Sequence, residues 1–507
     1  MSKPIAMEDV CALCEALGLD PARGARAAEV ADSLFAQTFH LHGLTKTARP
    51  LVAIAAALRA GLPADGLEGV RRDDLRAALK RTVPHSTGSQ LEIVLGALAP
   101  QAGPPGAAQA PADAARGVLG AIAQRIAAIA DLADGLTAAG TRDATVAAAL
   151  DDGDAVELLV SGNGSVRDTV TRARSKVGAW NATMLRPIRA VVVYEGTRPP
   201  TSALPPEPTA ADVARRVLQT QWETFLSRVH GLRYSEDIEY VHELRVALRR
   251  LRAALKAFRK ALDGLVPPLR AELKQLADAL GKVRDPDVFR VFLRGYMAQA
   301  PADHGPYLRG LLRAERRRRS RGFRALLGVM ESEQFAAFRA KYDPILTGRA
   351  AEGGLVALPG FADEPLRRHA PRVLLRRLRV VKRTGRGLAT APAEQQHALR
   401  IQCKRLRYTA EFLADLYPNG LDRITAPMLG MQDALGDVHD ADVYAERITR
   451  YHSRCRAAAS DPLAEQALGA VVAFLDARRR EALENALATW KAFAKDNAPR
   501  KAAKAVL

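Results

Sequence analysis

The chain contains few of the residues that mark secreted, redox-active or membrane proteins. Its 507 residues include only four cysteines, and aromatic residues make up 5%. The cysteines are scattered, so we expect no disulfide framework and a reducing, cytoplasmic environment. No apolar run reaches the ~18 residues of a membrane span, and the N-terminus lacks the apolar segment of a signal peptide. We therefore predict a protein that is neither secreted nor inserted in a membrane.

Candidate metal ligands are equally sparse. Cys11 and Cys14 have the spacing of a metal or redox motif, but no second cysteine pair and no histidine cluster accompanies them. We interpret them as small apolar residues of a helix. His40 and His42 have no carboxylates close by in the sequence and are interpreted as core or surface histidines. We expect neither a metal nor another cofactor.

Charge is distributed unevenly along the chain. The whole chain has 75 basic and 56 acidic side chains, a formal net charge of +19. Residues 1–200 contain 21 of each sign, which leaves 54 basic and 35 acidic side chains, and thus the entire excess, for residues 201–507. A positive field confined to one half indicates a polyanionic partner for that half.

The basic half contains a helix with a stripe of cations on one side. Tyr240–Lys260 has no glycine or proline and is rich in strong helix formers. At about 100° per residue, its leucines and Phe258 face one way, and the opposite side holds a basic arc of roughly 80°. This stripe consists of His242, Arg245, Arg249, Arg252 and Lys256. Like charges at this spacing repel, and no acid offsets them, so the stripe is either a solvated face or an anion site.

The stripe recurs after a shift of 155 positions. The register continues without a gap from residues 280–288 to residues 435–443. Such a long repeat indicates two copies of one helical unit. The corresponding residues are His242, Arg245, Arg249, Arg250 and Arg252 in the first copy and His397, Arg400, Lys404, Arg405 and Arg407 in the second. Repetition alone would preserve a core but not a basic outer stripe, which favours an anion site.

These segments also resemble a known family. HELRVALRRLR with LGKVRDPDV, and HALRIQCKRLR with LGDVHDADV, are similar to the CHAD domain, the conserved histidine α-helical domain, over roughly residues 209–490. The resemblance implies a mainly α fold with two pseudo-twofold-related four-helix bundles, here 209–345 and 362–490. It also implies a basic central surface that binds inorganic polyphosphate. On this chain that surface would be lined by His242, Arg245, Arg249, Arg252, Lys256, His397, Arg400, Lys404 and Arg407. The second copy departs from the first where Glu411 takes the place of Lys256.

Two further arginine runs lie in the same half. One places Arg313 and Arg317 on a single helical face, for which a solvated surface and anion binding both stay open. The other, in the predicted helix Leu366–Gly387, places four arginines on one face, and we expect some of them to join the stripe residues around one cavity. These four are Arg372, Arg376, Arg379 and Arg383.

Acidic pairs follow each stripe. Asp285 and Asp287 recur as Asp440 and Asp442. Such carboxylates serve as metal ligands, as acid–base pairs or as partners that fix arginine side chains. In a domain this rich in arginine we favour ion pairing.

The N-terminal half predicts short helices and then a small α+β subdomain. Residues 34–61 resemble the helical, HD-like C-terminal region of exopolyphosphatases and guanosine pentaphosphate phosphatases. Arg59 and Ala60 stand where HD enzymes have their metal-binding His-Asp pair, so we expect a degenerate HD-like domain over 1–100 without metal-dependent hydrolysis. Residues 114–196, with strands at 144–150, 155–161 and 188–194, resemble the last segment of the same family.

The remaining segments are predicted to be connections. Residues 101–113 and 197–208 are interpreted as linkers, and 491–507 as a frayed basic tail. The catalytic actin-like domain of exopolyphosphatases would precede the first residue of this sequence. We therefore expect the chain to retain the accessory region of that family without the catalytic one.

The combined pattern predicts a non-catalytic polyphosphate-binding protein of the cytoplasm, with polyphosphate granules as a candidate location. Arginine binds phosphate through paired contacts, whereas single-stranded nucleic acids usually need aromatic platforms that the stripes lack. Binding of duplex nucleic acid through its phosphates stays as the alternative. Hydrolysis of polyphosphate, or recruitment of a polyphosphate-metabolising enzyme by residues 1–195, also stays open. His242 and His397 are candidate proton donors, pH-dependent phosphate ligands or residues that orient arginine.

Overall fold

The computed structural model forms two compact units. One unit comprises Met1–Ala203 and Thr220–Leu244, and the other comprises Leu204–Gln219 and Arg245–Leu507. The structure describes residues 7–61, 72–82, 88–99, 111–137, 144–151, 153–162, 166–194, 207–232, 237–259, 262, 266–347, 365–368, 370–417, 420–454 and 461–505. Most of the predicted linkers 101–113 and 197–208 lies outside these residues, so the domain boundaries stay predictions.

The first unit is helical with one small sheet, as predicted. Its helices are α1 (Met7–Ala16), α2 (Pro21–Gln37), α3 (Arg49–Gly61), α4 (Arg72–Thr82), α5 (Gly88–Leu98), α6 (Pro111–Leu136), α7 (Val166–Ser175) and α8 (Val177–Thr183). Its strands are β1 (Thr145–Asp151), β2 (Val156–Ser161) and β3 (Ile188–Val193). β1 pairs with β2 antiparallel, which confirms the predicted hairpin, and β3 pairs with β2 parallel. Gly153 at the hairpin turn has φ 97°, a conformation that favours glycine.

One hydrophobic core extends through this unit. It runs from Leu13 on α1 to Val191 on β3 and includes α2, α3, α5 and α6. The segments predicted as separate domains, 1–100 and 114–196, therefore share buried side chains. Arg59 lies against α6, where its Nε is 2.6 Å from Asp131. Arg59, which stands in place of the HD histidine, therefore forms an ion pair with Asp131 beside the core.

The first unit also shows the surroundings of the cysteine and the two histidines that the sequence analysis considered as metal ligands. Cys14 is buried on α1, and burial raises the pKa of its thiol to about 11. His42 is fully buried, and its Nδ1 accepts a hydrogen bond from the Leu44 amide while Nε2 donates to the Phe35 carbonyl. His40 differs from the expectation, because the hairpin brings Asp151 to 2.8 Å from its Nε2. This carboxylate is 111 residues away in sequence, beyond the reach of a local pattern.

The repeat appears as two successive sets of four helices. The first set is α9 (Ala210–Leu232), α10 (Glu239–Ala257), α11 (Val266–Met297) and α12 (Gly305–Met330), followed by α13 (Glu333–Thr347). The second is α14 (Ala370–Thr384), α15 (Ala393–Phe412), α16 (Asp422–Arg454) and α17 (Pro462–Lys495), followed by α18 (Ala498–Ala502). α10 carries the first stripe and α15 the second. The division between the two units falls within α9 and α10.

The third helix of the first set contains a proline in its interior. α11 continues through Pro286 to Met297. Proline at 286 cannot donate to the carbonyl of Lys282. That carbonyl lies against α12, where a Cβ added at Gly322 would be only 2.7 Å from its oxygen. Close packing of α11 against α12 at this point compensates for the missing backbone hydrogen bond. In the second copy, Ala441 on α16 takes the place of this proline.

The predicted frayed tail is wrong for its described part. α17 continues to Lys495, and α18 packs with Pro499 and Ala503 buried. The Tyr417 hydroxyl donates to the Ala503 carbonyl at 3.2 Å, and the Lys382 amine donates to the Ala494 carbonyl at 3.1 Å. Apolar contacts and these hydrogen bonds hold a segment whose lysine-rich composition indicated fraying. Among the described residues, no helix has the length and apolarity that crossing a membrane requires.

Candidate polyanion-binding site

Five cations of the two stripes form a central cluster around Lys404. It consists of Arg245 and Arg249 on α10 and Arg400, Lys404 and Arg407 on α15, all partly buried. Burial and repulsion from the four arginines lower the pKa of Lys404 to about 7. An isolated lysine has a pKa near 10.4, so this site holds its charges at an electrostatic cost.

Neighbouring polar groups orient the arginines of the central cluster. Arg249 donates from Nε to the Tyr408 hydroxyl at 2.8 Å. Arg245 lies 2.6 Å from Asp285, and Arg407 lies 2.8 Å from Glu411. Each guanidinium uses only part of its five donors in these contacts, so the remaining N–H groups are available to a ligand.

Two equivalent glycines let the arginines approach the next helix. A Cβ added at Gly281 on α11 would lie 3.4 Å from an Nη of Arg245. A Cβ at Gly436 on α16 would lie 3.3 Å from an Nη of Arg400. These glycines occupy the same position of the repeat. Glycine inside a helix costs roughly 0.5–1 kcal/mol relative to alanine, and here it makes room for a guanidinium in both copies.

His397 lies at the exposed N-terminal end of the second stripe. Its ring centroid is 4.9 Å from that of His439. Burial, His439, Arg400 and Lys404 together lower the pKa of His397, which makes it neutral near pH 7 without a ligand. A neutral His397 is consistent with two of the predicted roles. It could bind phosphate and become cationic when the anion binds, or it could orient a neighbouring arginine. His242 lies one turn before Arg245 on α10.

The pKa of Lys404 gives a testable pH dependence. A bound anion favours protonated Lys404, so above its free pKa of about 7 binding must take up a proton. We expect the affinity for long-chain polyphosphate to fall between about pH 7 and 8.5, by up to about tenfold per pH unit. Lys404→Arg keeps its charge throughout this range and should flatten the profile. Titration calorimetry at several pH values would check this, and an equal slope in both proteins would contradict it.

A second group of cations surrounds Lys256 near the end of α10. We call it the Lys256 pocket; its cavity of about 250 Å³ is lined by Lys256, Arg259, Arg376, Arg377, Val380 and Gln402. Burial lowers the pKa of Lys256, and Arg405 adds the largest repulsion. Arg377 is half-buried, and its pKa falls to about 10. Arg376 therefore joins a stripe residue around one cavity.

A larger groove lies along α14. Its volume is about 760 Å³, and its cationic lining residues are Arg376, Arg379, Lys382, Arg383, Arg386 and Arg500. Arg376 lines both the groove and the Lys256 pocket. Three of the four arginines on the predicted basic face of α14, all except Arg372, thus line one or both of these cavities.

The central cluster lies in a region that matches a known protein family. Residues 216–449 match the family described as the CHAD domain. These residues are a CHAD domain. All five residues of the central cluster lie within it. No curated protein matches the chain.

Solved structures include similar chains. PptA from Streptomyces chartreusis is 20% identical with a TM-score of 0.43, and the match covers 55% of this chain and 99% of that chain. The CHAD domain from the plant Ricinus communis is 21% identical with a TM-score of 0.46, and the match covers 57% of this chain and 94% of that one. The resemblance of the N-terminal region to exopolyphosphatases stays a prediction.

Other predicted site residues of the CHAD domain lie apart from the central cluster. Arg252 is partly buried near Arg270, and burial lowers its pKa. Arg372 is exposed on α14 and lines neither of the two cavities described above. Arg313 and Arg317 are exposed on α12, and within the described part of the chain no hydrogen bond or ion pair joins them to the central cluster.

The CHAD domain also contains site residues that the sequence did not single out. Tyr408 orients Arg249, and Arg377 and Arg405 surround Lys256. The repeat register marked Arg405 as equivalent to Arg250, which could have identified it. Nothing in the sequence separates Arg377 from its arginine neighbours on α14.

Three of the four paired carboxylates act as ion-pair partners, as expected, and Asp440 is the fourth. Asp285 lies 2.6 Å from Arg245, Asp287 lies 2.6 Å from Arg319, and Asp442 lies 2.6 Å from Arg479. Asp287 is almost fully buried, and burial raises its pKa. Among the described residues, no group of three or more histidine, cysteine, aspartate or glutamate side chains is arranged to hold a metal ion.

Proposed function

We propose that the CHAD domain binds inorganic polyphosphate through the central cluster without transforming it. The observation that carries this proposal is the partly buried group of mutually repelling cations around Lys404, whose pKa is about 7. Phosphate groups placed among them would replace repulsion with attraction and return Lys404 to its charged state. The family match over residues 216–449 supports the same ligand class.

The shape of the cluster favours a bare phosphate chain over single-stranded nucleic acid. Polyphosphate carries a charge on every phosphorus with one oxygen between neighbours, and it offers no bases. Tyr408 is the aromatic residue at the cluster, and it is only 2% exposed. The guanidinium groups of Arg250 and Arg407 lie 5.2 and 4.8 Å from its ring centroid. A covered ring cannot serve as a stacking platform for a nucleobase.

We assign no catalytic residue. The ordering of arginines by Tyr408, Asp285 and Glu411 suits recognition of phosphate oxygens. We propose that the N-terminal unit acts as an accessory or interaction module, with a polyphosphate-metabolising enzyme as its candidate partner. Residence of the protein at polyphosphate granules belongs to the same proposal.

A competition titration tests the ligand class. The full-length protein would be bound to labelled long-chain polyphosphate at near-physiological salt. Unlabelled polyphosphate, double-stranded DNA and single-stranded RNA would then be added in equal phosphate equivalents. We expect polyphosphate to displace the label at a concentration at least about tenfold below that of either nucleic acid. That ratio corresponds to about 1.4 kcal/mol of preference.

Two results would contradict the proposed function. If DNA competes as well as polyphosphate, and its affinity falls steeply with salt, the basic half is a general polyanion surface. Phosphate analysis of the recovered polyphosphate after long incubation tests the non-catalytic part, because shortened chains would contradict it.

A further inference from the structure

The two copies of the repeat carry opposite charges at one equivalent position. Glu411 on α15 occupies the position that Lys256 occupies on α10. Glu411 pairs with Arg250, and with Arg407 at 2.8 Å. The glutamate thus neutralises the second stripe at this end. The carboxylate of Glu411 would therefore repel an anionic ligand that extended past Arg407.

The Lys256 end has no such neutralisation. The charges that repel Lys256 come from Arg405, Arg270, Arg377 and Arg259. Arg405 is the repeat equivalent of Arg250, and Lys256 is the equivalent of Glu411. The ion pair between Arg250 and Glu411 therefore corresponds to two like charges, Arg405 and Lys256, in the other copy. Among the described residues, no carboxylate forms an ion pair with Lys256, Arg259, Arg377 or Arg405. The Nε of Arg377 is buried and has no hydrogen-bond partner.

Resting on the function proposed above, we propose that the Lys256 pocket is a second phosphate-binding subsite, so that polyphosphate extends from the central cluster toward Lys256 and not toward Glu411. Lys256 lies seven residues beyond Arg249 on α10, which is about 10 Å along the helix axis. One extended chain of several phosphates can span this distance. Arg376 joins the pocket to the groove along α14, so longer chains have further cations ahead of them.

This arrangement predicts a dependence on chain length. Tripolyphosphate can occupy the central cluster, but it is too short to fill both sites. A chain of several tens of phosphates reaches the Lys256 pocket and gains its contacts. Neutralising this pocket should therefore weaken long chains and spare the short one.

The test compares two lysine-to-glutamate substitutions in the full-length protein. Lys256→Glu places an acidic residue at the position equivalent to Glu411. We expect it to weaken long-chain polyphosphate about tenfold and tripolyphosphate less than about twofold, as for loss of one charge-assisted contact. Lys80→Glu is the matched control, because it makes the same change of charge at an exposed lysine of the first unit, and it should change the affinity for either ligand less than about twofold. Thermal unfolding of both variants checks that the fold is kept.

The outcomes separate this inference from the proposed function. Equal losses for both ligands in Lys256→Glu would place Lys256 in a single site and overturn the second subsite. No loss for either ligand would overturn it too. Arg249→Gln should weaken both ligands, and if it weakens neither, the central cluster is not the binding site and the proposed function fails.

Discussion

Replacing Arg249, Arg400 and Lys404 together with glutamine should lower the affinity for long-chain polyphosphate by at least about 1,000-fold. Hydrogen bonds to charged groups contribute roughly 1.5–3 kcal/mol each, so even the lower value gives about 4.5 kcal/mol for three residues. Glutamine keeps much of the side-chain volume and removes the charge. Arg245 and Arg407 are left in place because they pair with Asp285 and Glu411, which would otherwise lose their partners.

The same substitution should not destabilise the free protein. The three cations repel each other, as the lowered pKa of Lys404 shows, so removing them relieves repulsion in the unliganded state. We expect an unchanged or higher midpoint of thermal unfolding together with the loss of binding. A lower midpoint would mean that the cluster stabilises the fold and would remove the argument for an anion site.

A matched control has the same change in net charge at a different place. Lys80, Arg167 and Arg172 are exposed cations of the first unit. Their joint replacement with glutamine should change polyphosphate affinity less than about threefold at near-physiological salt, where distant surface charges are screened. If this control loses as much affinity as the cluster variant, net charge rather than the cluster controls binding.

The location of the stripes could be predicted because it depends on helix geometry alone. A spacing of three and four residues places Arg245 and Arg249 on one face, and the repeat carries the same inference to Arg400 and Lys404. The hairpin at Gly153 was similarly local. What the helical period cannot supply is which residues of other helices lie beside each cation. Tyr408 beneath Arg249, Gly281 beside Arg245 and Arg377 beside Lys256 depend on tertiary packing.

The role of Glu411 illustrates the same limit. In the sequence it was only a departure from the first stripe. In the structure it pairs with Arg250 and Arg407, and its equivalent, Lys256, faces cations. The sign difference was visible in the sequence. Its consequence required the positions of Arg250 and Arg405, which lie outside the stripes.

A buried ion pair at Arg228 was not predicted either, because its partners come from two other segments of the first unit, residues 39–44 and the start of α10. Arg228 is fully buried, and its Nε donates to Glu243, which is 5% exposed. One Nη donates to the carbonyls of Phe39 at 2.8 Å and Leu44 at 3.2 Å. Nothing in the local sequence indicates that this arginine is buried. Its contacts place residues 220–244 in the first unit together with the N-terminal helices.

Arg228→Ala should destabilise the first unit by about 3–5 kcal/mol, the usual cost of removing one partner of a buried ion pair. The variant leaves Glu243 buried with the Lys46 amide, at 2.9 Å, as its remaining donor. Burial already raises the pKa of Glu243, and loss of Arg228 raises it further. The free energy of unfolding from chemical denaturation would measure the effect. The loss should shrink as pH falls through the raised pKa, because protonated Glu243 no longer carries a buried charge.

Two comparisons decide whether the buried charge is the cause. Arg23→Ala removes the arginine of a partly exposed pair with Asp134, 3.0 Å apart in the same unit, and should cost less than about 1 kcal/mol. Replacing Arg228 and Glu243 together with methionine removes both charges, and it should cost less than Arg228→Ala alone because no unpaired carboxylate remains. If the double variant is the less stable of the two, the carbonyl contacts of Arg228 outweigh its ion pair. Arg228 would then act mainly as a donor that joins the Phe39 and Leu44 backbone to α9.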